Sequence, residues 1–581
     1  MRTLPVLLKY VHLRKHQAFP RWLCVAGMLA LASVSSAADV VVVCADSFRE
    51  SLEPWCQLRR AEGLKLAFCR PSLTAEETST RVREAADPST RYVVLVGDAP
   101  DYSPRAQNSA LNQGISHNQA TAVDSDRVTR IPAFYLPAKV TAAFGSTPTY
   151  PADLPYGDLD GDGITDAAVG RLPVVTPDQL ADLVHRLLAY ELSQDFGVWR
   201  RSFQLTAGVG GFGMLIDGAI ESVTRSVLTS VLPADAKPQI AYASPGHAFC
   251  PPEESFSTAV LGRYRNGSRF WVYAGHGSVD QLNFLSRSQQ DAAALSESAL
   301  TQRTTDGQWR VESLLDNQTV TRLVAPPGRA PIAILLACYA GAYDAPGDCL
   351  SERMLLTPGG PVSVIAASRL TMPYGNARFG LGLLESAYHD VDAADAPERL
   401  GDAMRAAVRN LQIQRPGSTT QMMVDGLATL ISPAADQLAD ERSEHAGLYQ
   451  LFGDPTLNLQ SPQQLSVTVN AAETSDQSSE AAVVPSHTVC VNVTSPIAGR
   501  LTVCVDRPLT AVSAPTVGLP DNAADDPHGC TLGYVTIPIE GNVAGITTIP
   551  LPEDWSGPVV IRGFVQGREG WASGSARTVV D

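Results

Sequence analysis

Two stretches of the chain end in the same way. Phe270-Trp271-Val272-Tyr273-Ala274 is an apolar run that stops at Gly275-His276-Gly277-Ser278. Ile332-Ala333-Ile334-Leu335-Leu336-Ala337 is another, and it stops at Cys338-Tyr339-Ala340-Gly341. Each run reads as a buried strand, and functional residues of a parallel sheet collect just past the carboxyl ends of its strands. A thiol attacks a carbonyl only as the thiolate. An imidazole within reach can take the thiol proton and later return it to a leaving amine. Two strand ends of one sheet could bring His276 and Cys338 together for that purpose. Taken singly, His276 also reads as a turn histidine and Cys338 as a buried structural thiol or half of a disulfide. The pair is the more specific signal. The glycines beside His276 allow a sharp turn and a close approach of backbone N–H groups to a ligand.

A second constellation is acidic. In Tyr156-Gly157-Asp158-Leu159-Asp160-Gly161-Asp162-Gly163-Ile164-Thr165-Asp166, three carboxylates alternate around a turn. Asp158, Asp160 and Asp162, with the carbonyl of Ile164 and the side chain of Asp166, could form an oxygen shell for a structural Ca2+ ion. The pattern matches the first half of an EF-hand loop, but its twelfth position is Val169 rather than glutamate. A solvated acidic turn is the alternative.

The elements around these residues alternate. Asp39–Cys44, Leu64–Phe68 and Tyr92–Val96 read as strands, with helices over Ser47–Glu62 and Thr74–Ala86 between them. This is the signature of a parallel sheet with helices on its faces. The Ser/Asn/Pro/Thr-rich stretch 100–150 reads as a long surface excursion. A helix follows over Pro177–Leu192, then a second α/β block with strands near Phe203–Ala207, Phe270–Tyr273, Ile332–Ala337 and Val362–Ala366. Helices over Leu400–Gln412 and Gln437–Leu451 close it. From about Gln463 period-two alternation takes over, with Gly/Pro/Asp turns, which indicates an immunoglobulin-like β-sandwich. The expected division is a leader at 1–37, an N-terminal α/β subdomain at 38–198, a second at 199–461 and a β-sandwich at 462–581.

The leader reads as a secretory signal. Arg2, Lys9, Arg14, Lys15 and Arg21 precede an apolar run from Trp22 to Val34, and Ser35-Ser36-Ala37-Ala38 supplies small residues for cleavage. The run is shorter than the ~20 apolar residues a spanning helix needs. Removing these five basic residues moves the net charge from −16 to −21, an unfavourable balance for binding nucleic acid. Nine cysteines then remain, an odd number for an oxidising compartment, so one thiol stands out as reactive. Cys349 could be structural or disulfide-bonded, and Cys490 and Cys504 could pair. No CxxC spacing suggests zinc. His117, His185, His247, His445 and His528 have settings that suggest only surface or structural roles.

Between Val40 and Leu459 the sequence resembles the gingipain-like cysteine peptidases, which share a caspase-like (clan CD) α/β fold. Beyond the His276 and Cys338 stretches, the resemblance rests on Leu95-Val96-Gly97-Asp98, on Tyr156–Gly163 continuing through Asp166 to Val169-Gly170-Arg171-Leu172-Pro173-Val174, on Pro361–Arg369, and on Leu451-Phe452-Gly453-Asp454-Pro455-Thr456-Leu457. It implies His276 as general base and acid, Cys338 as nucleophile, and an oxyanion hole made by the N–H groups of Gly277 and Cys338. Family members orient the histidine with a carboxylate, for which Asp166 is the candidate. That role competes with calcium binding. Asp280 lies near His276 in sequence and also reads as a solvated loop residue.

The resulting expectation is an exported cysteine endopeptidase, in the periplasm, at the cell surface or outside the cell. It would act on proteins or peptides through an acyl-enzyme, without an organic cofactor. Three alternatives use the same scaffold: a sortase-like transpeptidase in which an amine replaces water, a catalytically silent adhesion protein, and a zymogen whose cleft is covered by the 100–150 excursion.

Overall fold

Strands that are apolar at every position need cover on both faces, and this dictates the architecture. Val40–Cys44 and Tyr92–Val96 are buried along their whole length. In the computed structural model they lie inside a ten-stranded sheet. The described residues are 38–101, 129–208, 231–244, 247–251, 256–286, 310–388, 398–413, 417–469, 483–484, 488–512 and 526–580. The leader, His117 and residues 102–128 of the expected excursion lie outside them. No described helix is long and apolar enough to cross a membrane.

The ten strands are β1 (Val40–Cys44), β2 (Leu66–Cys69), β3 (Tyr92–Val96), β4 (Ala168–Leu172), β5 (Ser202–Ala207), β6 (Lys237–Tyr242), β7 (Phe270–Ala274), β8 (Ile332–Leu336), β9 (Ser363–Ala367) and β10 (Tyr449–Phe452). Their order across the sheet is β2-β1-β3-β4-β10-β9-β8-β7-β5-β6. Neighbours pair in parallel except β9 and β10, which are antiparallel. The two α/β blocks therefore share one sheet.

The strand that joins the blocks was not legible from periodicity. A helix is expected to run on to Leu451, but it ends at Leu448 and Tyr449–Phe452 form β10 between β4 and β9. A four-residue buried strand directly after a helix has too few residues to show a period of two. The excursion also needs correction. Residues Phe134–Pro137 and Thr149–Ala152 pair as an antiparallel hairpin, with Tyr150 and Ala152 buried.

The motifs that carry the family resemblance pack against one another. Gly453 has φ +143°, and a Cβ at Gly170 would lie 2.5 Å from the Gly453 carbonyl and 2.6 Å from the Pro455 ring. Asp454 accepts hydrogen bonds from Trp55 at 2.5 Å and from Arg59 at 2.6 Å, all three buried.

The C-terminal segment forms two sheets around one apolar core. One contains Gln463–Gln464, Trp571–Val580, Gly557–Gln566, Gly499–Asp506 and Thr531–Ile539 in that order, with Val483–Val484 beside Trp571–Val580. The other contains Ser466–Val469, Thr488–Thr494 and Ala544–Pro550. Val489, Val491 and Val493 of the second sheet meet Leu501, Val503 and Val505 of the first in the core. Cys490 and Cys504 thus lie on different sheets and neither is in a disulfide, which overturns their pairing.

This β region covers the outer edge of β6, where backbone groups would otherwise stay unpaired. The Ile240 N–H donates to His528 Nε2 at 2.8 Å, Lys237 reaches Thr531 Oγ1 at 3.4 Å, and Arg562 donates to the Ala236 carbonyl at 3.1 Å. Burial, then the nearby Arg263 and Lys237 charges, push the His528 pKa down to about 3. His528 is therefore neutral in the folded chain. The unfolded chain takes up its proton as the pH falls through about 6.5, so stability is full above that value and is lost below it. The cost reaches about 2–3 kcal/mol by about pH 4.5. The urea midpoint of the whole chain is expected to fall from neutral pH to about pH 4.5 less steeply in His528→Gln than in the wild type. Equal slopes would assign the acid sensitivity to other groups.

Candidate active site

The relation between His276 and Cys338 follows from strand register. β7 and β8 pair in parallel with Phe270 opposite Ile332 and Ala274 opposite Leu336, a constant offset of 62. His276 and Cys338 differ by the same 62 positions, so each lies two residues beyond the last register pair. The ladder extends past that pair, because the Gly275 N–H donates to the Leu336 carbonyl at 3.3 Å. Neighbouring strands are about 4.8 Å apart, which sets the lateral spacing of the two backbones.

The residues next to the pair confirm the approach. A Cβ on Gly277 would lie 2.9 Å from the Cys338 carbonyl oxygen and 3.0 Å from Ala337 Cβ. Any side chain there would force the backbones apart. After Gly275 the chain leaves the main sheet, and His276-Gly277 pair antiparallel with Leu282-Asn283. Tyr273 donates its hydroxyl to the His276 carbonyl at 3.0 Å and fixes this exit.

Cys338 is half-buried, and its sulfur has a polar neighbourhood. The Thr371 N–H donates to Sγ at 3.3 Å, and Thr371 Oγ1 lies 3.5 Å away. Asn376 Nδ2 donates to that hydroxyl oxygen at 2.9 Å, and the Tyr449 hydroxyl donates to Asn376 Oδ1 at 2.6 Å. With its oxygen serving Asn376, the Thr371 hydroxyl has its own proton available for sulfur. Sequence reasoning missed Thr371. It follows β9, the next strand of the sheet, and its signal was the same strand-end placement that singled out His276 and Cys338.

The other thiols differ in setting. Burial pushes Cys44, Cys69 and Cys530 up to about 12 and Cys56 up to about 11. Burial, with the Glu352 carboxyl beside it, raises Cys349 well above the usual thiol range. Cys349 is a buried structural thiol, and none of the nine described cysteines is in a disulfide.

The loop after Cys338 is pinned at several points. Tyr339 has φ +59°, an uncommon conformation for a non-glycine residue and one that clusters at functional sites. The Tyr339 N–H donates to the Arg369 carbonyl at 3.1 Å. The Arg369 guanidinium makes a bidentate pair with buried Asp344 at 2.8 and 2.6 Å. Tyr343 donates to Asp153 at 3.1 Å, and Asp153 is held by Arg171 through two bonds of 2.7 Å. Arg171 also donates to the carbonyls of Gly97 and Ile131 at 3.0 Å each. The Val-Gly-Arg motif is thus a buried brace behind the Cys338 loop.

Asp166 is not brought to His276. It stands two residues before β4, and β10, β9 and β8 lie between β4 and β7. Four strand spacings amount to about 19 Å. Its carboxylate accepts from the Leu159 N–H at 2.9 Å and the Asp160 N–H at 3.4 Å, within its own loop. Asp280 accepts from the Ser278 hydroxyl at 2.8 Å. In the acidic loop, Asp158, Asp160 and Asp166 each bring a carboxylate oxygen within 4.8 Å of the others. Asp162 is not part of that group and accepts from the Ile164 N–H at 2.7 Å.

Residues 33–460 match Peptidase family C25. No curated protein matches the sequence. Among solved structures, the Arg-specific cysteine proteinase gingipain R is 14% identical over 95% of this chain and 100% of its own, with a TM-score of 0.49. A complex of the RgpB pro- and mature domains from Porphyromonas gingivalis is 14% identical over 94% of this chain and 100% of that chain, with a TM-score of 0.47. Dimeric latent PorU from Porphyromonas gingivalis is 12% identical over 94% of this chain and 43% of its own, with a TM-score of 0.34.

Gly277→Ala is expected to slow alkylation of Cys338 at least about tenfold, because the added carbon must displace backbone rather than a flexible side chain. The thermal midpoint should fall as well, because the backbones must part to admit the carbon. An unchanged alkylation rate would show that the tight contact does not set the geometry of the pair.

Proposed function

The chain belongs to Peptidase family C25 and is a cysteine-type peptidase with protein or peptide substrates, and from that premise we propose that it is an exported endopeptidase working through Cys338 and His276. The observation that carries the assignment is the shared offset of 62 between the β7–β8 register and the two residues. His276 takes the Sγ proton, and the sulfur bonds to the substrate carbonyl carbon. The carbonyl oxygen gains negative charge and is held by the N–H groups of Gly277 and Cys338. As the C–N bond breaks, His276 gives its proton to the departing amine and a thioester remains. Water, deprotonated by His276, then attacks the thioester, and the sulfur leaves as the acid product forms.

The basic leader supports export. The C-terminal pair of sheets is read as an immunoglobulin-like sandwich that braces the peptidase along β6. Calcium belongs to the proposal as a structural ion. The convergence of the Asp158, Asp160 and Asp166 oxygens supports it, and it would offset the repulsion of three like charges in one loop. Asp162 stands outside this cluster of carboxylates, the Ile164 carbonyl stays in the proposed shell, and Asp166 serves the loop rather than the histidine.

The decisive test treats the purified chain with an acyloxymethyl ketone or iodoacetamide and maps the label by mass spectrometry. Rapid labelling at Cys338 that is lost in His276→Ala is expected. Absence of labelling, even after limited proteolysis to expose a covered cleft, would remove the enzyme mechanism and favour a silent scaffold. Separately, chelation of calcium or Asp158→Asn is expected to lower the thermal midpoint by several degrees without slowing Cys338 labelling. A midpoint indifferent to calcium would refute the ion.

A further inference from the structure

The seam between the peptidase and the C-terminal sheets contains a cavity of about 570 Å³. One wall is the polar face of the Gly499–Asp506 strand. Its alternate residues Leu501, Val503 and Val505 point into the apolar core, which leaves Arg500, Thr502 and Cys504 facing the cavity. The opposite wall comes from Trp199, Arg201 and Ser202 before and within β5, from Lys237 and Gln239 of β6, and from Arg265–Gly267.

The charge of this cavity opposes that of the chain. Five cationic side chains line it, Arg201, Lys237, Arg265, Arg329 and Arg500, against the carboxylates of Asp195 and Asp526. Arg329 is committed to Asp195 by an ion pair. Asp526 accepts from the N–H groups of Cys530 at 3.0 Å and Thr531 at 2.8 Å. Asp506, just behind the wall, accepts from Arg562 at 2.5 Å and from the Thr531 hydroxyl at 2.7 Å, and the Lys237 and Arg201 charges also act on it without a hydrogen bond.

Arg201 is the centre of the argument. It is 94% buried, yet Nε and Nη1 have no hydrogen-bond partner among the described residues. Its Nη2 contacts only a weak acceptor, Cys504 Sγ at 3.7 Å, and its guanidinium carbon stands 5.4 Å from the Phe564 ring centre. Desolvating a guanidinium donor without an acceptor is costly, so a buried orphan of this kind calls for an explanation. An oxyanion supplies one, since the planar fork of arginine matches two oxygens of a phosphate, sulfate or carboxylate. Lys237 is a second point charge on the same wall, and Arg265 and Arg500 are exposed at the rim. The volume falls within the range of small-molecule sites.

We propose that this interdomain cavity binds a small polyanion, with Arg201 and Lys237 holding one oxyanion group inside and Arg265 and Arg500 receiving another at the rim. The ligand bridges the two parts of the chain and stabilises the seam that covers β6.

The test is calorimetric titration of the whole chain, at low ionic strength, with inorganic pyrophosphate and in parallel with citrate. The two arms separate a phosphate ligand from a carboxylate one. One-to-one binding of at least one anion is expected. It should weaken at least tenfold in Arg201→Gln and in the doubly substituted Arg265→Glu, Arg500→Glu protein. The rim substitutions are on exposed side chains, so that variant remains informative should Arg201→Gln fail to fold. Binding of neither anion to the wild type overturns the proposal, as does undiminished binding to the rim variant.

Discussion

The hydrogen-bond ladder between β7 and β8 is the constraint on which the site depends. A parallel ladder fixes register along its length, so two residues at equal distance just past its end leave from adjacent strand ends. His276 and Cys338 meet this condition through their common offset of 62. Slippage by one residue would reverse the faces of an entire strand and bury the wrong side chains. Packing on both faces of β7 and β8 therefore guards the geometry of the pair. Gly277 completes it by letting the backbones close to a distance that a Cβ would forbid.

Register positions the backbone, but the loops need separate support. Buried arginines provide it. Arg369 ties the Cys338 loop to the segment after β9 by its carbonyl and by its pair with Asp344. Arg171 holds Asp153, which receives Tyr343, and reaches two carbonyls besides. Breaking one member of such a pair leaves an uncompensated buried charge, which is far more costly than removing both. The loop is thus over-determined, which is the condition under which the left-handed Tyr339 can persist beside Cys338.

The C-terminal sheets solve a different problem. An open sheet ends in an edge strand, and β6 is such an edge. His528, Thr531 and Arg562 bond to it or its flanks, which removes a template for pairing with other chains. The same seam leaves a buried arginine with donors unmet among the described residues, so the cover and the cationic cavity arise from one packing arrangement.

The sequence by itself determined the strand-end placement of His276 and Cys338, the parallel α/β character of residues 38–461 and the change to β structure near Gln463. These are local properties, set by apolar runs, turn residues and periodicity. What lies far apart in the chain was decided only by tertiary structure. Asp166 looked available to the histidine because sequence does not reveal how many strands stand between β4 and β7. Cys490 and Cys504 looked like neighbours because successive strands usually are, but they belong to opposite sheets. The role of β10 depended on a chain returning to fill a gap, and Thr371 depended on β9 standing next to β8. Strand order is a global outcome of burying both faces of every apolar strand at once, and no window of the sequence contains it.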